Sequence, residues 1–215
     1  MICVSLEVSN VSDSLKKLKG LDLAELRLDK ASLTGAEIKQ LFSLPLDLIV
    51  TCRPGFLSEE DRKQYLLEAI CYGAKYVDLE IESPVAFKQD IISLARNKGC
   101  LVILSYHNYQ ETPPAIELNR TVRKCFQEGA DIAKIACQVN SGQDIISLFS
   151  LYGLEEAAAG KIISLGMGQK GKITRVAAPL LGAPFTYASF KPGSETAEGQ
   201  LDRKSLKTIL KYFEG

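Results

Sequence analysis

Apolar positions along the chain follow two rhythms. Short runs rich in aliphatic and β-branched residues stand at 2–8 (ICVSLEV), 23–29 (LAELRLD), 47–52 (DLIVTC), 76–81 (YVDLEI), 100–107 (CLVILSYH), 132–139 (IAKIACQV), 161–167 (KIISLGM) and 185–190 (FTYASF). Each has the length and residue types of a buried strand. Helical spacing fills most of the intervals, as in 59–74 (EEDRKQYLLEAICYGA), 83–99 (SPVAFKQDIISLARNKG), 114–130 (PAIELNRTVRKCFQEGA) and 202–213 (DRKSLKTILKYF). Gly20, Gly73, Gly99, Gly129 and Gly160 each stand just before a strand, where a helix-terminating glycine belongs. Strands that alternate with helices form parallel sheets. Eight such units, starting 21 to 32 residues apart, predict an α/β fold of the (β/α)8 TIM-barrel type. The runner-up is an open doubly wound sheet, for which eight strands are many in a chain of this length. No linker divides the sequence, so residues 1–215 read as a single catalytic-size domain.

Inside the strand runs, the alternation separates chemistry from packing. In a barrel strand, every second side chain faces the lumen. Glu25, Arg27 and Asp29 share one face of the second run, while Ala24, Leu26 and Leu28 share the other. Asp78 and Glu80 alternate in the same way with Val77, Leu79 and Ile81. Arg53 closes the third run, His107 closes the fifth, and Lys134 stands in the sixth between Ile132 and Ala136 on its own face. Charges on a buried face are costly unless they are paired, so these positions predict an ion network or a site. Their place at the strand ends matches the C-terminal mouth where barrels of this type hold their active sites.

Lys134 is the most telling of these, because the AKIA context offers it no local partner. A lysine at its ordinary pKa is neutral in only about one molecule in 2500 at pH 7. Desolvation and a cationic surround lower that pKa and free an amine able to form an iminium with a ketone. A single nearby histidine can then move the protons.

Composition narrows the field. Lys plus Arg and Asp plus Glu both number 26, which leaves no net charge and no basic footprint for nucleic acid or a membrane surface. No apolar run approaches the roughly 20 residues of a membrane helix. The opening MICVSLEVSN lacks a basic start and an apolar core, so it is not expected to act as a signal peptide. Six scattered cysteines with no CxxC pair read as reduced, mostly buried thiols of a cytoplasmic protein. One histidine excludes a His-rich metal site. The segment Gly166-Met-Gly168-Gln-Lys-Gly171 fits G-x-G-x-x-G, but too little chain follows it for a dinucleotide-binding domain. With Lys170, Lys172 and Arg175 nearby, it reads instead as a seat for an anion. The polar stretch 191–200 (KPGSETAEGQ) reads as a lid over the mouth.

Taken together, ELRLD (25–29), TCR (51–53), VDLE (77–80), SYHNY (105–109), AKIA (133–136), MGQKGKITR (167–175) and TAEGQ (196–200) resemble the type I 3-dehydroquinate dehydratases. The resemblance implies a barrel enzyme of the shikimate pathway that works without metal or organic cofactor, with a homodimer as a common assembly. It implies that Lys134 forms a Schiff base with the C3 ketone of 3-dehydroquinate. His107 would remove a C2 proton and protonate the departing C1 hydroxyl. Arg175, helped by Gln200 on the closing loop, would clamp the substrate carboxylate. Glu25, Arg27 and Arg53 would hold the ring hydroxyls, Met167 would pack on the ring, and Thr196 would stand beside the substrate. The sequence departs from the family pattern twice. After Arg53 the family usually carries Glu-Gly-Gly, whose glutamate orients the histidine; here PGFLSEED follows, with Glu59 or Glu60 as the available replacements. Glu198 replaces the usual lid proline, a change expected to loosen the loop. A class I aldolase and a non-catalytic small-molecule binder are the competing readings.

Overall fold

All eight apolar runs form strands, and the structure, a computed structural model, joins them in one sheet. It describes residues 1–213, so the last two positions of the 1–215 reading lie outside the described residues. The strands are β1 (Ile2–Glu7), β2 (Leu23–Arg27), β3 (Asp47–Thr51), β4 (Tyr76–Glu80), β5 (Leu101–Asn108), β6 (Ile132–Gln138), β7 (Ile162–Met167) and β8 (Thr186–Ser189). Between them run α1 (Val11–Leu18), α2 (Gly35–Phe42), α3 (Glu59–Cys71), α4 (Val85–Lys98), α5 (Ala115–Gln127), α6 (Gly142–Ser150), the short α7 (Glu155–Ala158) and α8 (Gly168–Leu180); α9 (Arg203–Leu210) follows β8. The five glycines read as helix terminators all have positive φ.

Every strand pair is parallel, and the order is β7-β6-β5-β4-β3-β2-β1-β8. The last strand returns to pair with the first, which an open doubly wound sheet does not do. Among the described residues, only the seam between β7 and β8 lacks ladder hydrogen bonds, and it is bridged by packing. Cys3, Leu23, Ile49, Ile103, Ile132, Ile163 and Tyr187, drawn from seven strands, meet in one inner cluster with Tyr76 of β4 against it. A flat sheet could not bring β7 and β8 side chains together, so the sheet is curled into a nearly closed (β/α)8 barrel.

The two faces of each strand have separate fates. Leu26, Val50, Leu79, Leu104 and Ile135 point outward into the larger cluster beneath the helices. Each such side chain contributes on the order of 1.5–3 kcal/mol by leaving water. The inward face changes character along the lumen. Its N-terminal layer is apolar, and its next positions are Ser5, Glu25, Thr51, Asp78, Ser105 and Lys134, all buried. The apolar layer forms a dry floor under a polar one.

Candidate active site

The polar layer begins with a carboxylate fixed by hydroxyls. Glu25 on β2 accepts hydrogen bonds from Ser5 Oγ on β1 and from Thr51 Oγ1 on β3, the latter at 2.8 Å. Two residues further on, Arg27 makes a forked contact with Asp29, at 2.8 Å from Nε and 3.0 Å from Nη2. Burial alone would lower the Arg27 pKa, but the Asp29 partner outweighs it and raises it; burial likewise works against the Asp29 carboxylate, which Arg27 still holds low.

Asp78 on β4 is the hub. Its Oδ1 lies 2.9 Å from Arg53 Nη2 and accepts from Ser105 Oγ at 2.6 Å, while its Oδ2 accepts from Lys134 Nζ at 2.8 Å. Burial would push this carboxyl up, yet Arg53 and Lys134 hold it well below the usual carboxylate range. The surroundings of Lys134 therefore differ from the expected cationic one. Its nearest charges are Asp78 and, at 3.8 Å, Glu25, with Arg53 on the far side of Asp78. The face of the Tyr187 ring on β8 lies beneath its ammonium, 4.3 Å from Nζ to the centroid.

His107 stands on β5, two residues past Ser105, which is the register partner of Lys134. The two side chains thus project from adjacent strands on the same face, one pleat apart. Burial, then Arg53 and Lys134, drive the imidazole pKa well below its ordinary value. The ring is therefore neutral at pH 7, as a general base must be. Its plane stacks on Tyr109, with centroids 5.9 Å apart and planes inclined by 10°. Nδ1 is buried without a hydrogen-bond partner.

The β7–α8 turn supplies the opposite wall. Gly166 and Gly171 pack backbone to backbone, and a Cβ on Gly171 would stand 2.4 Å from the Gly166 carbonyl carbon. The glycines of the G-x-G-x-x-G segment therefore serve a close strand–helix contact. Of the three basic residues expected at this seat, only Arg175 reaches the cavity; Lys170 turns away to the Asn140 carbonyl. Arg175 is 3% exposed, and among the described residues no carboxylate pairs with it. Burial pushes its pKa down to about 10, so it remains a cation at neutral pH. Its Nε donates to Gly199 O at 3.0 Å, which seats the lid.

The lid is held by main chain where the replacement of proline by Glu198 was expected to loosen it. Gly168 N donates to Glu198 O at 3.3 Å. Thr196 Oγ1 donates to Ser5 Oγ at 2.8 Å, and Gln200 Nε2 donates to Thr196 Oγ1 at 3.1 Å. The lid is thereby tied through Ser5 to Glu25.

All nine residues named from the sequence line one cavity of about 530 Å³, open mouth included: Glu25, Arg27, Arg53, His107, Lys134, Met167, Arg175, Thr196 and Gln200. Tyr109, Ala136 and Tyr187 also line it and were not named. Tyr187 could have been found from parity, since it alternates with the outward-facing Ala188. The expected replacements for the missing glutamate are corrected. Glu59 and Glu60 are exposed in the first turn of α3, and neither bonds to His107. The carboxylate beside His107 belongs to Glu80, whose Oε1 lies 3.9 Å from Nδ1.

A family model described as type I 3-dehydroquinase matches residues 2–215. The chain belongs to this family. The 3-dehydroquinate dehydratase of Methanococcus maripaludis is 34% identical to it, over 99% of this chain and 100% of that protein. The 3-dehydroquinate dehydratase of Pyrococcus abyssi is 33% identical, over 99% and 98%. The crystal structure of the 3-dehydroquinate dehydratase from Aquifex aeolicus superposes with a TM-score of 0.83 at 30% identity, covering 99% of this chain and 98% of that one. No described helix of this type I 3-dehydroquinase family member is long and apolar enough to cross a membrane.

Proposed function

We infer that the chain is a type I 3-dehydroquinate dehydratase, a hydro-lyase that converts 3-dehydroquinate to 3-dehydroshikimate and water in the shikimate pathway, on the way to aromatic amino acids. The observation that carries this reading is the meeting of the one imidazole and a buried lysine in one cavity, beside a buried guanidinium that no carboxylate pairs with among the described residues.

The steps follow from those groups. The substrate carboxylate docks on Arg175, whose charge has no other counterion among the described residues, and Gln200 and Thr196 close over it. Glu25, Arg27 and Arg53 offer acceptors and donors to the ring hydroxyls, and Met167 packs on the ring. Lys134 passes a proton to His107 and its nitrogen attacks C3; the carbinolamine takes that proton back onto its hydroxyl and loses water to give an iminium. His107 Nε2 then takes the C2 proton, and the C2–H electrons flow into the iminium to form an enamine. The enamine expels the C1 hydroxyl, which leaves as water with the proton now on His107. Water hydrolyses the conjugated iminium, frees Lys134 and releases the product. One water is lost overall, and no electrons are gained or lost. An anion seat made of one guanidinium and a carboxamide favours a carboxylate with hydroxyls over a sugar phosphate, which sets the aldolase reading aside.

The barrel acts as one catalytic domain in this reading, in the cytoplasm and as a homodimer. The cytoplasmic setting is supported by six free cysteines, of which five are buried. Burial pushes the thiols of Cys52, Cys100, Cys125 and Cys137 up to about 12. Turnover of 3-dehydroquinate, followed by the ultraviolet absorbance of the conjugated product, tests the assignment. Wild-type protein should form product, and Lys134→Ala should lower kcat by about a thousandfold or more. Product formation at the wild-type rate by the variant would refute the role of Lys134.

A further inference from the structure

His107 is buried on its Nδ1 side, and that nitrogen has no hydrogen-bond partner. A neutral imidazole carries its proton on one nitrogen only, and whichever group engages Nδ1 decides whether Nε2 is free to accept. The resemblance gives this task to a glutamate in the loop after β3. Here that loop brings none, since Glu59 and Glu60 lie exposed on α3. The neighbouring strand does. Glu80 closes β4, its register partner on β5 is Ser105, and His107 lies two residues further along on the same face. Its Oε1 is 3.9 Å from Nδ1 and also 3.9 Å from Arg53 Nη1. The carboxylate hangs between two functional groups and closes on neither. A shift of about an ångström, within reach of one side-chain torsion, brings it to hydrogen-bond distance of Nδ1.

We propose that Glu80 is the positioning residue of His107: its carboxylate accepts the Nδ1 proton in the substrate complex and so presents Nε2 as the lone pair that takes the C2 proton. The proposal rests on the dehydratase reading above. It transfers the orienting role from the loop after β3 to strand β4, and it lets substrate binding trigger the contact. When ring hydroxyls engage Arg53, they compete with Glu80 for that guanidinium and free the carboxylate to turn toward His107.

The other charged groups facing His107 are Arg27 from β2, Arg53 from just after β3, Asp78 from β4 and Lys134 from β6, and Tyr109 covers one ring face. None of them offers Nδ1 an acceptor within hydrogen-bond distance. Of the two carboxylates on β4, Asp78 is already committed to Arg53, Ser105 and Lys134.

The test compares Glu80→Ala and Glu80→Gln with wild type, using steady-state kinetics and borohydride trapping on 3-dehydroquinate. Glutamine keeps an acceptor oxygen and loses the charge; alanine loses both. Glu80→Ala should lower kcat by about tenfold or more with KM within about twofold, and Glu80→Gln should recover part of the loss. The acid limb of kcat/KM should move to lower pH in both variants, because the carboxylate no longer favours the imidazolium. Imine trapping on Lys134 should persist. A wild-type kcat in Glu80→Ala would overturn the proposal. So would a loss confined to KM, which would place Glu80 with Arg53 in substrate binding. Failure of wild-type protein to trap an imine would instead refute the dehydratase reading itself.

Discussion

At the scale of single residues, most charges of the site are closely paired, and Arg175 is not. Glu25, Asp29 and Asp78 all have donors, and Arg27, Arg53 and Lys134 all have carboxylates. Among the described residues, the Arg175 guanidinium meets only two main-chain carbonyls, one of them at 3.5 Å. A buried cation without a counterion burdens the empty protein and favours an anionic ligand. Arg175→Gln should therefore raise KM for 3-dehydroquinate by about 10- to 100-fold, the worth of a charged hydrogen-bonded pair. The same change should leave the urea midpoint unchanged or higher. A lowered midpoint with unchanged KM would make Arg175 structural. Lys134 was legible in the sequence because a lysine inside an apolar strand has few bland explanations, and His107 because it stands at a strand end where other ionisable groups converge. Asp78 was visible as an inward charge, but its role as hub was not, because its three partners come from the segment just after β3, from β5 and from β6. Glu80 was likewise visible as an inward charge, but its place beside His107 was not, because that approach is made between β4 and β5.

Among elements, the strands were readable because every β-run carries apolar residues on its outward face, and the helix ends because glycines terminate them. The lid and the β7–α8 turn needed coordinates. Both depend on backbones approaching closely, and a sequence shows that only as glycine. Gly199 has φ 78° and faces the Gly168 carbonyl, where a Cβ would stand 2.3 Å from the oxygen. Alanine there strains the backbone and forces the lid off α8. Gly199→Ala should raise KM by about tenfold while the core stays intact, since the lid carries little of the packing. Unchanged KM would show that the lid does not contribute to binding in the seated position.

The whole molecule couples the imidazole of its site to its stability. The chain has a single histidine, and its folded-state pKa lies well below the ordinary value. Below about pH 6.5 the unfolded chain takes up a proton that the folded site refuses, so acidification favours unfolding. The slope from this group is at most about 1.4 kcal/mol per pH unit and is lost on reaching the folded pKa. Asp78 acts further down the scale: its depressed pKa contributes stability above about pH 4 that disappears as pH falls through the folded value. Urea unfolding at about pH 6.5 and about pH 5 should show wild type losing about 1–2 kcal/mol more than His107→Gln. Equal losses would mean that the imidazole titrates alike in both states. The barrel itself was legible from eight evenly spaced strand runs, whereas its closure through the β8–β1 pairing could only be expected from that count. The account as a whole depends on Lys134 acting as a nucleophile. Borohydride reduction during turnover of 3-dehydroquinate, followed by peptide mass spectrometry, measures that directly: the account predicts one covalent adduct, on Lys134, and a folded, substrate-bound protein that yields no adduct, or yields one on another lysine, would contradict it.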